Sequence, residues 1–468
     1  MGDRTKPRVL LIGLDCAEPS LVFGRWPDLL PRLSALMNQG LYGPLTSTIP
    51  PITVPAWTAM LTSKDPGQLG LYGFRNRRGY DYEPLFVANA AHVKETTLPQ
   101  LLSRNERTSI LLGVPQTYPP RPLRGLMVSG FLTPSKEADY TYPPDLKQEL
   151  DRLAGGEYIL DVEEFRTEEK DRLLARIYAM TEARFRVAEH LLSREAWDFF
   201  MMVEMGVDRI QHGFWRYHDP AHRLYVPGNR FESAIRDYYV DLDRRIGRLV
   251  DLAPEGTLML VVSDHGARTM IGGLALNQWL LEQGYLVLKE APPQPIRLSP
   301  AMINWSRTRA WGEGGYYGRI FLNVASREPQ GKVRPEEYEN LRRELKERLE
   351  ALPDDQGRPM GTRVFRPEEI YRTVKNVPPD LIVYFGDLAW RSVGTVGQGQ
   401  PLYVFENDIG PDDANHAQQG LLIMSVKGRD LGGPAGRREG MTLYDVAPTI
   451  LAYLGLPVPE DMIGRPLI

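Results

Sequence analysis

Six apolar runs mark the chain: RVLLIGLD (8–15), TSILLGV (108–114), WDFFMMVEMG (197–206), TLMLVVSD (257–264), DLIVYF (380–385) and GLLIMS (420–425). Each is short and nearly continuous, which predicts a strand covered on both faces. Between them lie segments whose apolar residues recur every three to four positions, at 29–40, 173–193, 238–254 and 443–456. That period predicts amphipathic helices. Gly40, Gly256 and Gly455 fall where those helices are expected to end. Strands alternating with helices build βαβ units, so the expected fold class is α/β, a mostly parallel central sheet sandwiched by helices.

Two stretches break the rhythm. Residues 116–170 are rich in Pro, Tyr and charge and are predicted as an inserted lid. Residues 290–365 begin APPQPIRLSP and carry a charged helix, PEEYENLRRELKERLEAL, and are predicted as an inserted subdomain. The core is then expected in three parts: 1–115, 171–289 and 366–468.

Composition narrows the picture. The chain has 468 residues, 42% of them hydrophobic, enough for a large core. A net charge of −4 without a Lys/Arg run argues against a nucleic-acid polymer or an anionic membrane as partner. The single cysteine, Cys16, excludes an intrachain disulfide and fits a reducing compartment. It is expected simply to pack beside Asp15. The first apolar run meets a charge too early for a signal peptide, and no window of about 18 apolar residues exists. A cytoplasmic protein is expected.

Open parallel sheets bind ligands at the carboxyl ends of their strands. There the predicted strands present Asp15, the pair Asp208 and His212 in VDRIQH, and the pair Asp264 and His265 in VVSDHGA; His416 precedes the last strand. Alone, each is as well read as a turn acid, an N-cap or a structural histidine. The i,i+4 spacing of Asp208 and His212 is weak by itself, because Asp412 and His416 share it. His218 and His222 have it too, but Pro220 lies between them and opposes helical geometry. Together, three Asp and three His at strand edges suit two zinc-like ions that each keep an open position. Gly266 is expected to let the chain turn away behind the Asp264–His265 pair. Thr53, in ITVPAWTAMLTS, is either a helix N-cap or a nucleophile at a helix N-terminus that favours an incoming phosphate.

In this order the motifs resemble the alkaline phosphatase superfamily, and within it the type I phosphodiesterase/nucleotide pyrophosphatase family. The closing segment YDVAPTILAYLGLPVPEDMIGRPLI is similar to the end of many members. The resemblance implies that Asp208, His212 and His416 hold one divalent metal ion. It further implies that Asp15, Asp264 and His265 hold a second, toward which Thr53 bridges as nucleophile. Zinc is the usual ion and manganese an alternative. The implied activity is hydrolysis of a small phosphodiester, nucleotide-like or otherwise, through a phospho-threonine.

Ala56 stands where many nucleotide pyrophosphatases place an Asn that touches a phosphoryl oxygen, and Leu69 where a related prokaryotic branch often has His. A sulfatase is disfavoured, because TVPA supplies no Cys or Ser in the required pattern. Phosphoglycerate mutases of the superfamily normally use Ser. A phosphomonoesterase, a phosphonate hydrolase and an inactive metal-binding module are the alternatives. Arg75, Arg77, Arg209 and Arg216 are read as solvated surface cations or as contacts for extra phosphate oxygens.

Overall fold

The computed structural model describes residues 6–432 and 435–468; the basic residues that open the chain fall partly at 1–5, outside the described residues. A ten-stranded sheet forms the centre. In chain order it contains β1 (Arg8–Leu14), β2 (Leu41–Thr46), β3 (Ser109–Val114), β4 (Gly125–Ser129), β5 (Thr141–Tyr142), β6 (Phe199–Glu204) and β7 (Thr257–Val262). A separate two-stranded ribbon follows, β8 (Gly266–Thr269) with β9 (Ala414–Ala417), and β10 (Gln419–Val426) returns to the main sheet. Two-residue strands at Gly436–Arg437 and Met441–Thr442 extend its β2 edge.

Across the sheet the order is β2, β10, β7, β1, β6, β3, β4, β5. The five strands from β7 to β4 run parallel. Strand β10 lies antiparallel between β7 and β2. The mostly parallel sheet expected from the alternation is present. β1 shows why its strands read as continuous apolar runs. Leu10, Ile12 and Leu14 point into one apolar layer, and Val9 and Leu11 into the other. Each such side chain removed from water contributes about 1.5–3 kcal/mol. The first layer is roofed by α1 (Pro31–Gln39), α3 (Lys170–Arg194), α4 (Gly206–His218) and α5 (Ala234–Leu252); the second by α2 (Thr53–Thr62) and α6 (Val446–Tyr453).

The run at 380–385 departs from expectation. It is a strand, Leu381–Tyr384, but it pairs with Gly318–Leu322 and Arg363–Phe365 in a four-stranded antiparallel sheet with its own apolar layer. Burial on both faces looks the same in either sheet, and periodicity does not name the partner strand. None of the described helices is long and apolar enough to cross a membrane.

Candidate metal centre

Parallel register brings the ends of β1, β6 and β7 to one edge, with Leu14 opposite Glu204 and Gly13 opposite Val262. Asp15 follows β1, and Asp264 and His265 follow β7. All three are fully buried. Each carboxylate has one oxygen tied and one free. Trp57 Nε1–H donates to Asp15 Oδ2 at 2.7 Å, and the Cys16 N–H donates to Asp264 Oδ1 at 3.1 Å. Asp15 Oδ1 and Asp264 Oδ2 have no hydrogen-bond partner and lie 3.8 and 3.2 Å from His265 Nε2. The other ring nitrogen of His265 sits 3.1 Å from the Gly266 carbonyl, which turns Nε2 to the acids. Burial, then Asp264, pushes the Asp15 carboxyl well up; burial does the same to Asp264. A divalent cation would relieve both.

Thr53 joins this group. Its Oγ1 lies 3.4 Å from His265 Nε2. Thr53 is the first residue of α2 and not its N-cap; the cap position is Ile52, which offers no side-chain bond. All ten residues of α2 are buried, so its N-terminal amides and dipole face the site without a competing cap. Trp57, one turn on, packs against β1 only because residue 13 is glycine; a Cβ there would sit 2.5 Å from the indole. Gly266 is needed for room rather than for a turn, since its Cβ would meet the Gln419 carbonyl at 2.3 Å.

Asp208 and His212 lie on the first turns of α4, immediately beyond β6, with Asp208 Oδ1 3.2 Å from His212 Nε2. Arg209 bonds the other Asp208 oxygen and makes a two-pronged pair with Asp161 at 2.9 and 2.6 Å. His416, on β9, turns Nδ1 to the Pro51 carbonyl at 2.8 Å. Its ring stacks on His265 with centroids 3.8 Å apart and stands 5.4 Å from His212. All seven expected residues therefore converge on one buried region. Their close grouping divides unevenly, however. The ligand atoms of Asp15, Asp264 and His265 lie within 4.8 Å of one another, and so do those of Cys16, Asp208 and His212; His416 is in neither set.

The model of the family described as type I phosphodiesterase / nucleotide pyrophosphatase matches residues 9–412. The chain belongs to this family. His416 lies just beyond the matched span. The structure of human ectonucleotide pyrophosphatase / phosphodiesterase 5 is similar at 13% identity and a TM-score of 0.55, covering 97% of this chain and 96% of that one. Phosphonoacetate hydrolase from Sinorhizobium meliloti, in complex with phosphonoformate, is similar at 16% identity and a TM-score of 0.61, covering 96% and 95%. The inactive murine phosphodiesterase 5 in complex with AMP gives 12% and 0.52, covering 97% of each chain. A curated relative, the 2,3-bisphosphoglycerate-independent phosphoglycerate mutase of Rhodopirellula baltica, is 36% identical over 76 residues, 16% of this chain and 14% of its own length.

The donor set fits the divalent ions expected of a type I phosphodiesterase family member: orphaned carboxylate oxygens, the unprotonated imidazoles of His265 and His416, and burial. Burial pushes His265 down to about 4, and burial with His265 and His212 pushes His416 well below its ordinary value. His212 differs. Burial opposes its protonation, but Asp412 and Asp208 outweigh that and hold it at about 9.

Asp412 is a supporting residue that sequence spacing does not reveal. It is not a helical partner of His416; its Oδ1 lies 2.7 Å from His212 Nδ1. Arg166 Nε and Tyr316 OH donate to its other oxygen at 2.9 and 3.0 Å. Arg166 and Tyr316 come from the two stretches expected as insertions, and Tyr316 also stacks on His416 at 4.3 Å. Helix α4 ends at His218, ahead of Pro220, and His218 Nε2 faces Arg25 at 3.0 Å. Of the four candidate arginines, Arg75 is exposed, Arg216 pairs with Glu168, and Arg77 and Arg209 are buried against Glu328 and Asp161. Ala56 and Leu69 are both buried in apolar clusters.

Proposed function

We propose that this chain hydrolyses a small phosphoric ester, a nucleotide-like or other small phosphodiester, by way of a phospho-threonine at Thr53. The single observation that carries the reading is the placement of Thr53 Oγ1. It sits at the uncapped N-terminus of a wholly buried helix, 3.4 Å from a histidine grouped with two carboxylates. Asp15, Asp264 and His265 would hold one divalent ion, and Asp208, His212 and His416 a second, zinc or manganese. Such ions supply charge neutralisation at phosphorus and lower the pKa of the attacking hydroxyl. Thr53 loses its proton to solvent, and Oγ1 attacks phosphorus. The bond to the leaving group breaks with its electron pair, on the side of Asp208 and His212. A water molecule then cleaves the Oγ1–phosphorus bond and restores the hydroxyl. The N-terminus of α2 holds the phosphoryl oxygens, and burial keeps the field of these groups unscreened.

The stretches 116–170 and 290–365 are the proposed source of specificity, because Arg166 and Tyr316 bring them to the centre. A phosphonate or a monoester is the second reading. Ala56 favours it, since no side-chain amide is available there for the phosphoryl contact expected of nucleotide pyrophosphatases.

The deciding experiment compares bis-(p-nitrophenyl) phosphate, p-nitrophenyl phosphate and phosphonoacetate under one set of metal conditions. Preference for the diester supports the proposal. Preference for the monoester or the phosphonate replaces it with the second reading, and no turnover of any of them with zinc or manganese overturns the hydrolase.

A further inference from the structure

Cys16 packs in the apolar layer, as its sequence position suggests, but its thiol also borders polar groups. It follows Asp15 with φ +66°, in the left-handed region that favours glycine. The strain is held at both ends of the residue. Its N–H donates to Asp264 Oδ1 at 3.1 Å, and its carbonyl accepts Gln211 Nε2–H at 2.5 Å. The thiol is fully buried and bonds only weakly, 3.5 Å from the Gly266 carbonyl. What it faces is chemistry: Sγ lies within 4.8 Å of the ligand atoms of both Asp208 and His212. His212 Nε2 is itself buried without a hydrogen-bond partner.

We propose that Cys16 is a thiolate ligand of the ion held by Asp208 and His212. The inference rests on the two-ion reading above but adds a donor that this reading does not contain. The thiol gives up its proton when the ion binds, as any coordinating cysteine does. With His416 as the fourth donor the tetrahedral set is filled, and a substrate oxygen would enter by expansion to five-coordination. The ligand is present whether or not His416 joins the same ion. Sulfur is a soft donor and carboxylate a hard one, so the two ions differ in selectivity. The Asp208 side favours zinc, cadmium and cobalt over manganese, and the all-N/O Asp15 side discriminates less.

The test uses the full-length protein loaded with cobalt(II), then with cadmium-113. The wild type is expected to show visible d–d bands and, beside them, an intense near-ultraviolet sulfur-to-cobalt charge-transfer band. Cys16→Ser and Cys16→Gly are expected to lose the charge-transfer band while keeping the d–d bands. Glycine suits the backbone at φ +66°, so C16G keeps the test independent of folding. Cadmium-113 NMR should show one strongly deshielded, thiolate-type signal in the wild type and none in C16G. Cobalt bound with d–d bands but no charge-transfer band, or a band that survives in C16G, overturns the thiolate and leaves the two-ion reading intact. Absence of any bound cobalt or cadmium overturns both.

Discussion

Asp15, Asp264 and His265 stand at the ends of two adjacent strands, whereas Asp208 and His212 stand on a helix and lean on residues from both irregular stretches. On the first side the supporting contacts are made by α2 and by backbone next to the ligands: Trp57, the Cys16 amide and the Gly266 carbonyl. On the second side support comes from Asp161, Asp412, Arg166 and Tyr316. Strand register fixes one half of the centre. The other half is assembled only when distant segments meet, and its ligands should answer to changes that never touch an ion.

The largest expected effect lies on the strand-built side. Thr53→Ala should reduce turnover by at least about a thousandfold, the scale on which losing a nucleophile is felt. Metal analysis should still find both ions. Near-wild-type turnover would remove Thr53 from the reaction and leave α2 as mere scaffold.

Next come the ligands. Asp264→Ala and Asp208→Ala should each bind one ion where the wild type is proposed to bind two, and the missing ion should differ. Elemental analysis after gel filtration reads the count. Loss of both ions in either variant would mean that the halves are not independent, and the contrast between them would fall.

Asp412→Asn tests the helix-built side alone. Partners that orient a metal-bound histidine typically matter 10- to 100-fold in affinity. Chelator competition should show a loss on that scale for one ion and an unchanged second ion. Tyr316→Phe, which leaves Arg166 on Asp412, should lose less than about tenfold. An equal loss at both ions would show that the two stretches support the whole centre rather than half of it.

The smallest effect is on the pH dependence of the metal-free protein, and its sign differs between the halves. His212 is held at about 9, above its ordinary 6.5, so its contribution is complete below 6.5 and is lost as pH rises through 9. His265 is pushed down to about 4. The unfolded chain therefore takes up the proton first, and stability is lost as pH falls from 6.5 toward 4. Each limb is limited to about 1.4 kcal/mol per pH unit per group. Denaturation midpoints in chelator from pH 5 to 10 should show both limbs. His265→Gln should reduce only the acid limb, to which His416 still contributes; a flattened alkaline limb in that variant would contradict the assignment.

These halves also differ in how much of them the sequence disclosed. Asp15, Asp264 and His265 end apolar runs, and a strand end in a parallel sheet is a location that periodicity predicts. The α/β class followed from the same pattern. Asp412 enters the sequence reading only as a sign that i,i+4 spacing is weak; its partner His212 is two hundred positions away, and no local rule joins them. Arg166 and Tyr316 gave no signal at all, lying in stretches without period. The strand at Leu381–Tyr384 was recognised as a strand, but its membership of a second sheet was not, since burial records that a strand is covered and not by what. Cys16 packs as expected; its left-handed backbone, and the closeness of its thiol to Asp208, are not something composition reveals.

One consequence of α2 reaches past this centre. Thr53 and Trp57 sit a single turn apart, the first the proposed source of the reacting oxygen and the second bonded to Asp15. A ten-residue cassette thus transmits two functions as a unit. In recombination or grafting between relatives it would move as an indivisible module, and a shift of the helix along its axis would detune both at once.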